Sequence, residues 1–409
     1  MKGMHDYVID NHMNMNMKIQ KRTQVEWAFL LYFSVILTHD KIPYLKFFLW
    51  ILLIALSIKN MGLKVSGVCK KNLILLFGWY GLFYAWVLAS KLWAYDDRSD
   101  SSLGSTMLRI IMVVFCIGVY LTNEERIWRF LDIIVTAASY FSFVFVATSP
   151  ISVWGTTEMG GITNQWRTFA ANLAAMMVVF SYFAIKNNLR LKKKYIICMM
   201  INAFSVIVSG SRGAMLSLGV MLILYALFEK SVKKRFKYLL VVVLLLIIAI
   251  YLIFTNQYLY QIFGRRILAA LNHQDGSAED RSFFITIALQ MFLKKPILGW
   301  GYDNFAYYIK YFEGYFVDVY SHCNYAEILS CYGIIGFILY YWAYCNIFFR
   351  EWKYRKVDIL AKVSMIIMIR FIIFEYSTIS FSTLYYVVIL SFLLCASNVR
   401  KQKGIMYES

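Results

Sequence analysis

Apolar residues in this chain come in long runs rather than in alternation. The runs occupy about 25–38, 42–58, 72–90, 105–121, 130–150, 168–185, 195–209, 213–228, 238–256, 328–349, 359–375 and 378–397, each bounded by charged or turn-forming residues. A helix crosses a bilayer with about 20 apolar residues. The first, seventh and eighth runs are shorter than that. Lipid tolerates only helices and closed barrels, and uninterrupted runs lack the period of two that a barrel strand needs. The pattern therefore predicts an all-α polytopic membrane protein of about twelve transmembrane helices. Its parts are a cytoplasmic tail at 1–24, helices one to nine over 25–256, a long extracytoplasmic loop with short helices at 257–327, helices ten to twelve over 328–397, and a second cytoplasmic tail at 398–409.

Composition and charge give the same class and add an orientation. Hydrophobic residues make up 60% of the chain and charged ones 16%, more apolar surface than a soluble core requires. Two thirds of the Lys and Arg fall in segments that alternate spans would place on one side, among them Lys18, Lys21 and Arg22, then Lys192 to Lys194, Lys233 to Lys237 and Arg350 to Lys356. That asymmetry is the positive-inside signature and makes both termini cytoplasmic. The net charge of +19 reads as topology and attraction to anionic lipid, not as a nucleic-acid surface, because spans separate the basic clusters. Residues 1–24 are polar, unlike a cleavable signal peptide. The seven cysteines show no metal-ligand spacing, and no Gly-Lys-Ser/Thr phosphate loop is present, which argues against an ATP-driven pump. No internal repeat is evident, which weakens an inverted-repeat transporter.

Three places carry candidate chemistry. Arg212, in Ser209-Gly-Ser-Arg-Gly213, sits in a turn between two apolar runs, where a guanidinium is costly unless an anion, a cavity or the headgroup zone receives it. Its fork of donors suits a phosphate oxygen, and the plainer alternative is a topology-setting or headgroup-binding arginine. Arg281 opens a segment, Arg281 to Leu293, that reads as a helix of one to three turns lying against the membrane surface, with Asp280 or Ser277 as its cap and Pro296 beyond its end. Pro296-Ile-Leu-Gly299-Trp-Gly301 follows, a turn able to bring backbone close to a ligand. The tyrosines between Tyr307 and Tyr320 read as interfacial anchors ahead of sugar-stacking platforms. His322 precedes the tenth span, where an imidazole titrates near neutral pH and is able to take a proton from a sugar hydroxyl; hydrogen bonding at the helix start is the alternative. Arg109 and Arg370 lie within spans toward the outer end and Arg167 in the third outer loop, each a candidate lining of a substrate pocket with a structural alternative. Glu327 either orients His322 or hydrogen-bonds near the helix start.

Ser-Gly-Ser-Arg-Gly between short spans, Arg281 before Pro-x-x-Gly-x-Gly-x-x-x-Phe, and His322 before Gly333-Ile-Ile-Gly336 fall in one order and on one side. This arrangement resembles the O-antigen ligase and O-antigen (or capsular) polysaccharide polymerase superfamily, most strongly over about 200–345. Leu92-Trp-Ala-Tyr-Asp96 and Gly161 to Ala170 look like that family's variable outer-loop elements. The resemblance implies transfer of a glycan from undecaprenyl diphosphate to an acceptor sugar on the outer face of the bacterial plasma membrane, with no cofactor or metal. It implies that Arg212 and Arg281 hold the diphosphate and that His322 activates the acceptor hydroxyl. The family usually has Asn after that histidine; here Cys323 stands there and Asn324 follows, which puts the second polar role in doubt and leaves Asn324, with Glu327, as a possible substrate-binding residue.

The expected partners are therefore the lipid-linked donor, a glycan acceptor and membrane lipids, with room for a chain-length regulator and a flippase of the same pathway, and no nucleic acid. Polymerase is preferred over ligase, and the reaction is expected to invert the anomeric centre. The reading from another class is a flippase or transporter of lipid-linked sugars, which leaves the long loop with Arg281 and His322 unexplained.

Overall fold

The structure, a computed structural model, describes residues 21–39, 42–62, 65–95, 102–187, 191–265, 268, 272, 276–315 and 319–408. Most of the expected N-terminal tail, Asp96 and part of the polar middle of the long loop lie outside the described residues. Among the described residues there is no strand. In chain order the main helices are α1 (Gln24–Thr38), α2 (Pro43–Met61), α3 (Gly67–Trp93), α4 (Leu103–Tyr120), α5 (Glu124–Thr148), α6 (Arg167–Asn187), α7 (Lys192–Val208), α8 (Arg212–Leu227), α9 (Val232–Thr255), α10 (Gly276–Lys294), α11 (Asn304–Phe312), α12 (Asn324–Glu351), α13 (Ile359–Phe374) and α14 (Leu384–Glu408). Seven of these, α2 to α6, α9 and α12, are long and apolar enough to cross a membrane, so the chain is an all-helical polytopic membrane protein.

The helices divide into two compact units, residues 1–59 with 125–263, and residues 60–124 with 264–409. In the first, α6 packs on α7 and α8, and α8 on α9. Carboxylates pin the ends of its helices: Asp132 of α5 accepts from Arg22 at 2.7 Å, from Tyr195 Oη at 2.9 Å and from Lys194. Thr23 and Glu26 close a reciprocal cap at the start of α1, satisfying two of the helix's orphan N–H groups. The long apolar helix α9 buries only Val242 and Ile253, as a lipid-facing helix does.

The second unit holds α3, α4 and α10 to α14. Inside α3 the residues Phe77–Gly81 wind as one π-helical turn, which lets the neighbours Trp79 and Tyr80 both face inward. Their polar ends are satisfied there, Trp79 Nε1 donating to Tyr340 O at 2.8 Å and Tyr80 Oη to Phe381 O at 2.9 Å. Trp86 Nε1 similarly donates to Tyr332 O at 3.0 Å. A single helix, α3, is thus fastened along its length to α12 and to the segment before α14.

Candidate functional site

Helix α12 does not run straight. At Gly333 the backbone leaves the helical region, with φ 64° and ψ −168°, and a break of this kind orphans carbonyl and amide groups that must find partners. The loop after α10 supplies them. Trp300 N donates to Ser330 O at 2.9 Å, Gly301 N to Cys331 O at 2.8 Å, and Ile334 N to Pro296 O at 2.9 Å. The approach is backbone against backbone: a Cβ on Gly333 would lie 2.2 Å from Ile297 O, and one on Gly299 would lie 2.5 Å from Cys331 O. The glycines of the Pro-x-x-Gly-x-Gly motif therefore lock a loop into a broken helix rather than cradle a ligand. Gly301, at φ 100°, fits against Ser90 and Ala94 at the end of α3, where a Cβ would come within 2.8 Å of backbone.

Helix α10 begins at Gly276 and so has five turns, not one to three. Asp280 consequently lies inside its first turns instead of capping it, where with Glu279 it complements the positive end of the helix dipole. Phe284, Ile287, Ala288 and Met291 form its buried stripe. Arg281, three residues before Phe284, extends that stripe by one turn.

The same stripe reaches His322. Phe284 stacks on the imidazole with ring centroids 5.9 Å apart, and Tyr320 lies at 4.2 Å. His322 holds a left-handed backbone, φ 58°, a conformation that non-glycine residues adopt rarely and that the surroundings must enforce. Both neighbours of His322 are pinned. Ser321 N donates to Glu327 Oε2 at 2.7 Å, and Ser321 Oγ donates to Cys323 O at 2.9 Å. Burial pushes the His322 pKa below the ordinary imidazole value, the Arg281 charge adds to the depression, and Asp280 opposes it. The ring is thus biased toward the neutral form that accepts a proton. Cys323 caps α12 without a side-chain hydrogen bond, and burial pushes its thiol up, so at this position the chain presents a protonated thiol where the resemblance expects an amide.

Asn324 and Glu327 turn inward. Asn324 is fully buried; its Nδ2 donates to Tyr341 Oη at 2.8 Å, and its Oδ1 accepts from Ser380 N at 2.9 Å and Phe381 N at 3.2 Å. Its backbone N–H donates to Glu375 O at 2.8 Å. Glu375 in turn accepts from Tyr341 Oη at 2.8 Å, and from Tyr344 and Ser380 hydroxyls. This network was not anticipated. The signal for it is a carboxylate interrupting an apolar stretch, which membrane burial permits only with several donors around it. Arg370 is buried in the same unit, its guanidinium against Phe371, Phe374 and Tyr386 at 5.3, 5.4 and 5.7 Å. Arg109 lies on the exposed face of α4, donating to Thr106 Oγ1 at 3.1 Å.

Arg212 and Arg167 belong to the first unit. Between α7 and α8, Gly210 takes φ 63°, Ser211 N donates to Ser209 Oγ at 3.2 Å, and Ser211 Oγ accepts from Ala214 N at 3.4 Å. Arg212 is then the first residue of α8 and is half-buried. A cation at a helix N-terminus opposes the dipole, by about 0.3–1 kcal/mol. Arg167 is buried, and its Nη1 donates to Gly155 O at 2.5 Å and to Ser209 O at 3.1 Å. It braces the turn that presents Arg212. Among the described residues, no three His, Cys, Asp or Glu side chains cluster as metal ligands would.

Arg281, His322, Glu327, Asn324, Arg109 and Arg370 are in the second unit, and within it Arg281 is brought close enough to His322 to act on its charge. No curated protein sequence matches the chain. Residues 197–341, from α7 into α12, match the family model described as O-antigen ligase; the stretch includes Arg212, Arg281 and His322. That match, on a polytopic bundle of apolar helices, supports the O-antigen ligase and polymerase superfamily over residues 197–341 of this membrane protein.

Proposed function

We propose that this chain is a polysaccharide polymerase of the bacterial plasma membrane, transferring a glycan from undecaprenyl diphosphate to an acceptor sugar hydroxyl on the outer face. Both termini are then cytoplasmic, and the segment from 257 to 327 faces outside. The observation that carries the reading is His322: a half-buried imidazole in an enforced left-handed conformation, biased to its neutral form and stacked on the helix that bears Arg281. A neutral imidazole is the form a general base requires.

In the proposed reaction the bond between the donor's anomeric carbon and the diphosphate oxygen breaks while the acceptor oxygen bonds to that carbon. The acceptor proton passes to His322, and the electron pair leaves with undecaprenyl diphosphate. Arg281 stabilises the charge that develops on the leaving group. Attack opposite the leaving group inverts the anomeric centre.

The test is a polymer-length assay on cells carrying Arg212→Ala, Arg281→Ala or His322→Ala, with membrane abundance measured alongside. Loss of the ladder at normal abundance is expected; normal ladders from all three end the assignment. The description of the matched family favours a second reading, transfer of the finished glycan to lipid A–core or another surface acceptor. Purified protein given donor with each acceptor type distinguishes them. Donor movement across vesicles without new glycosidic bonds would instead mean a transporter.

A further inference from the structure

The far end of α10 carries a feature that the proposed reaction does not use. Four rings form a ladder there: Tyr95 and Trp300 have centroids 5.5 Å apart, Trp300 and Tyr308 4.8 Å, and Tyr308 and Phe312 4.8 Å. Its two ends are open, Tyr95 at 56% and Phe312 at 55% exposure, while Trp300 and Tyr308 are buried between them. Two consecutive lysines lie on it. Lys295 Nζ is 4.3 Å from the centroids of both Tyr95 and Trp300, and Lys294 Nζ donates to Tyr308 Oη at 2.6 Å.

Trp300 and Tyr308, the latter among the tyrosines expected as interfacial anchors, are turned inward. An anchor keeps its polar tip in the headgroup layer. Here the tips point into the protein: Trp300 Nε1 donates to Met291 O at 2.8 Å, and Tyr308 Oη holds Lys294. The cations are also handled differently from others in the chain. Arg22, Lys194, Arg129 and Arg400 are matched with carboxylates. Lys294 and Lys295 form no ion pair among the described residues, and the Glu313 carboxylate acts on Lys294. A lysine ammonium has three donors, and a ring face leaves them available to an anion. The exposed end rings, Tyr95 and Phe312, with fixed cations between them suit a sugar bearing a carboxylate or phosphate: the apolar face of the sugar stacks on an end ring and the anion meets the ammonium.

Resting on the reading of this chain as a glycan-transferring enzyme, we propose that the Tyr95–Trp300–Tyr308–Phe312 ladder with Lys294 and Lys295 is a binding subsite for an anionic glycan chain. Thirteen residues of α10 separate Lys294 from Arg281, about 20 Å at 1.5 Å per residue. The subsite therefore grips the strand several sugars away from the bond being made, and the chain's polymer carries uronic acid or phosphate groups.

The test is equilibrium binding to the full-length protein in detergent. The probes are a hexamer of galacturonic acid, the same hexamer with its carboxyl groups reduced, and phosphatidylglycerol vesicles applied to protein in nanodiscs. Expected are salt-sensitive binding of the acidic hexamer, at least tenfold weaker binding of the reduced one, and at least tenfold weakening in Lys294→Gln/Lys295→Gln, with Lys294→Arg/Lys295→Arg retaining it. Both double variants change exposed or half-exposed side chains, and a monodisperse elution profile checks their fold. Equal binding of both hexamers, an acidic-hexamer affinity unchanged in the Gln variant, or an affinity for vesicles alone overturns the proposal. Absence of glycosidic bond formation by the wild-type protein counts against the enzyme reading and leaves the binding result standing.

Discussion

Gly333→Ala is the sharpest perturbation the structure offers. The residue occupies φ 64° and ψ −168°, a region open essentially to glycine alone. Adopting it with a Cβ costs about 1–3 kcal/mol before any contact is considered. The added carbon would also stand 2.2 Å from Ile297 O and 2.7 Å from Gly299 N, both backbone atoms that move only if the loop moves. Relief then breaks some or all of the three backbone hydrogen bonds that join residues 296–301 to α12. Each is worth about 0.5–1.5 kcal/mol net. With all three lost the total is about 2.5–7.5 kcal/mol, a large part of a typical folding free energy. Fluorescence-detected thermal unfolding in detergent should show a fall of about 5 °C or more. The control is Gly219→Ala within α8, where a Cβ meets nothing within 4 Å and the exchange favours helix. If the two variants unfold at the same temperature, the interlock of loop and broken helix is not what holds this unit together.

Three further outcomes concern the site itself. The acid limb of kcat/KM should lie below pH 6.5, because burial and Arg281 both disfavour protonated His322, and Arg281→Gln should move that limb upward by only part of the shift, since burial is the larger cause; an unmoved limb separates Arg281 from His322. Glu327→Ala strands the buried N–H of Ser321, a loss of about 1–3 kcal/mol, and should abolish most transfer, while Glu327→Gln keeps an acceptor and should stay within severalfold of wild type. A Gln variant as inactive as Ala would mean that the carboxylate does more than brace the loop. Arg167→Ala removes the donor to Ser209 O and should raise the KM for lipid-linked donor more than Arg167→Lys does, measured at equal membrane abundance.

The apolar runs made the helical class legible, because run length and the absence of alternation are local properties. Arg212, Arg281 and His322 were also legible, since each is a polar residue at the edge of an apolar segment. What could not be read was how backbone meets backbone. Gly299 and Gly333 are 34 positions apart, and neither shows in isolation that it faces the other. The same holds for Asn324. Its neighbourhood to His322 suggested substrate contact, whereas its amide is taken up by Ser380, Phe381 and Tyr341, which arrive from later in the chain. Arg167 is similar: as a loop cation it reads as solvated or substrate-facing, and only the fold brings Ser209 O to it.

These hidden contacts converge on one physical requirement. A base and a cation that act on one reacting centre must be held in place before the substrate arrives, because reorganisation during the reaction raises the barrier. The first stretch of α12, Asn324 to Tyr332, is fixed at both ends, by the Asn324 network at one and by the Gly333 interlock at the other. His322 stands two residues before it, with Ser321 tied to Glu327 from within that same stretch. The loop that completes the interlock continues directly from α10, whose stripe carries Phe284 onto the imidazole and Arg281 beside it. Breaking the helix at Gly333 therefore lets one backbone junction help to set the positions of both the imidazole and the Arg281 guanidinium. In the first unit a left-handed glycine and two serines, braced by Arg167, present Arg212 at the head of α8. In each case the left-handed backbone lies at or near the candidate side chain, so the local chain path fixes where that side chain starts.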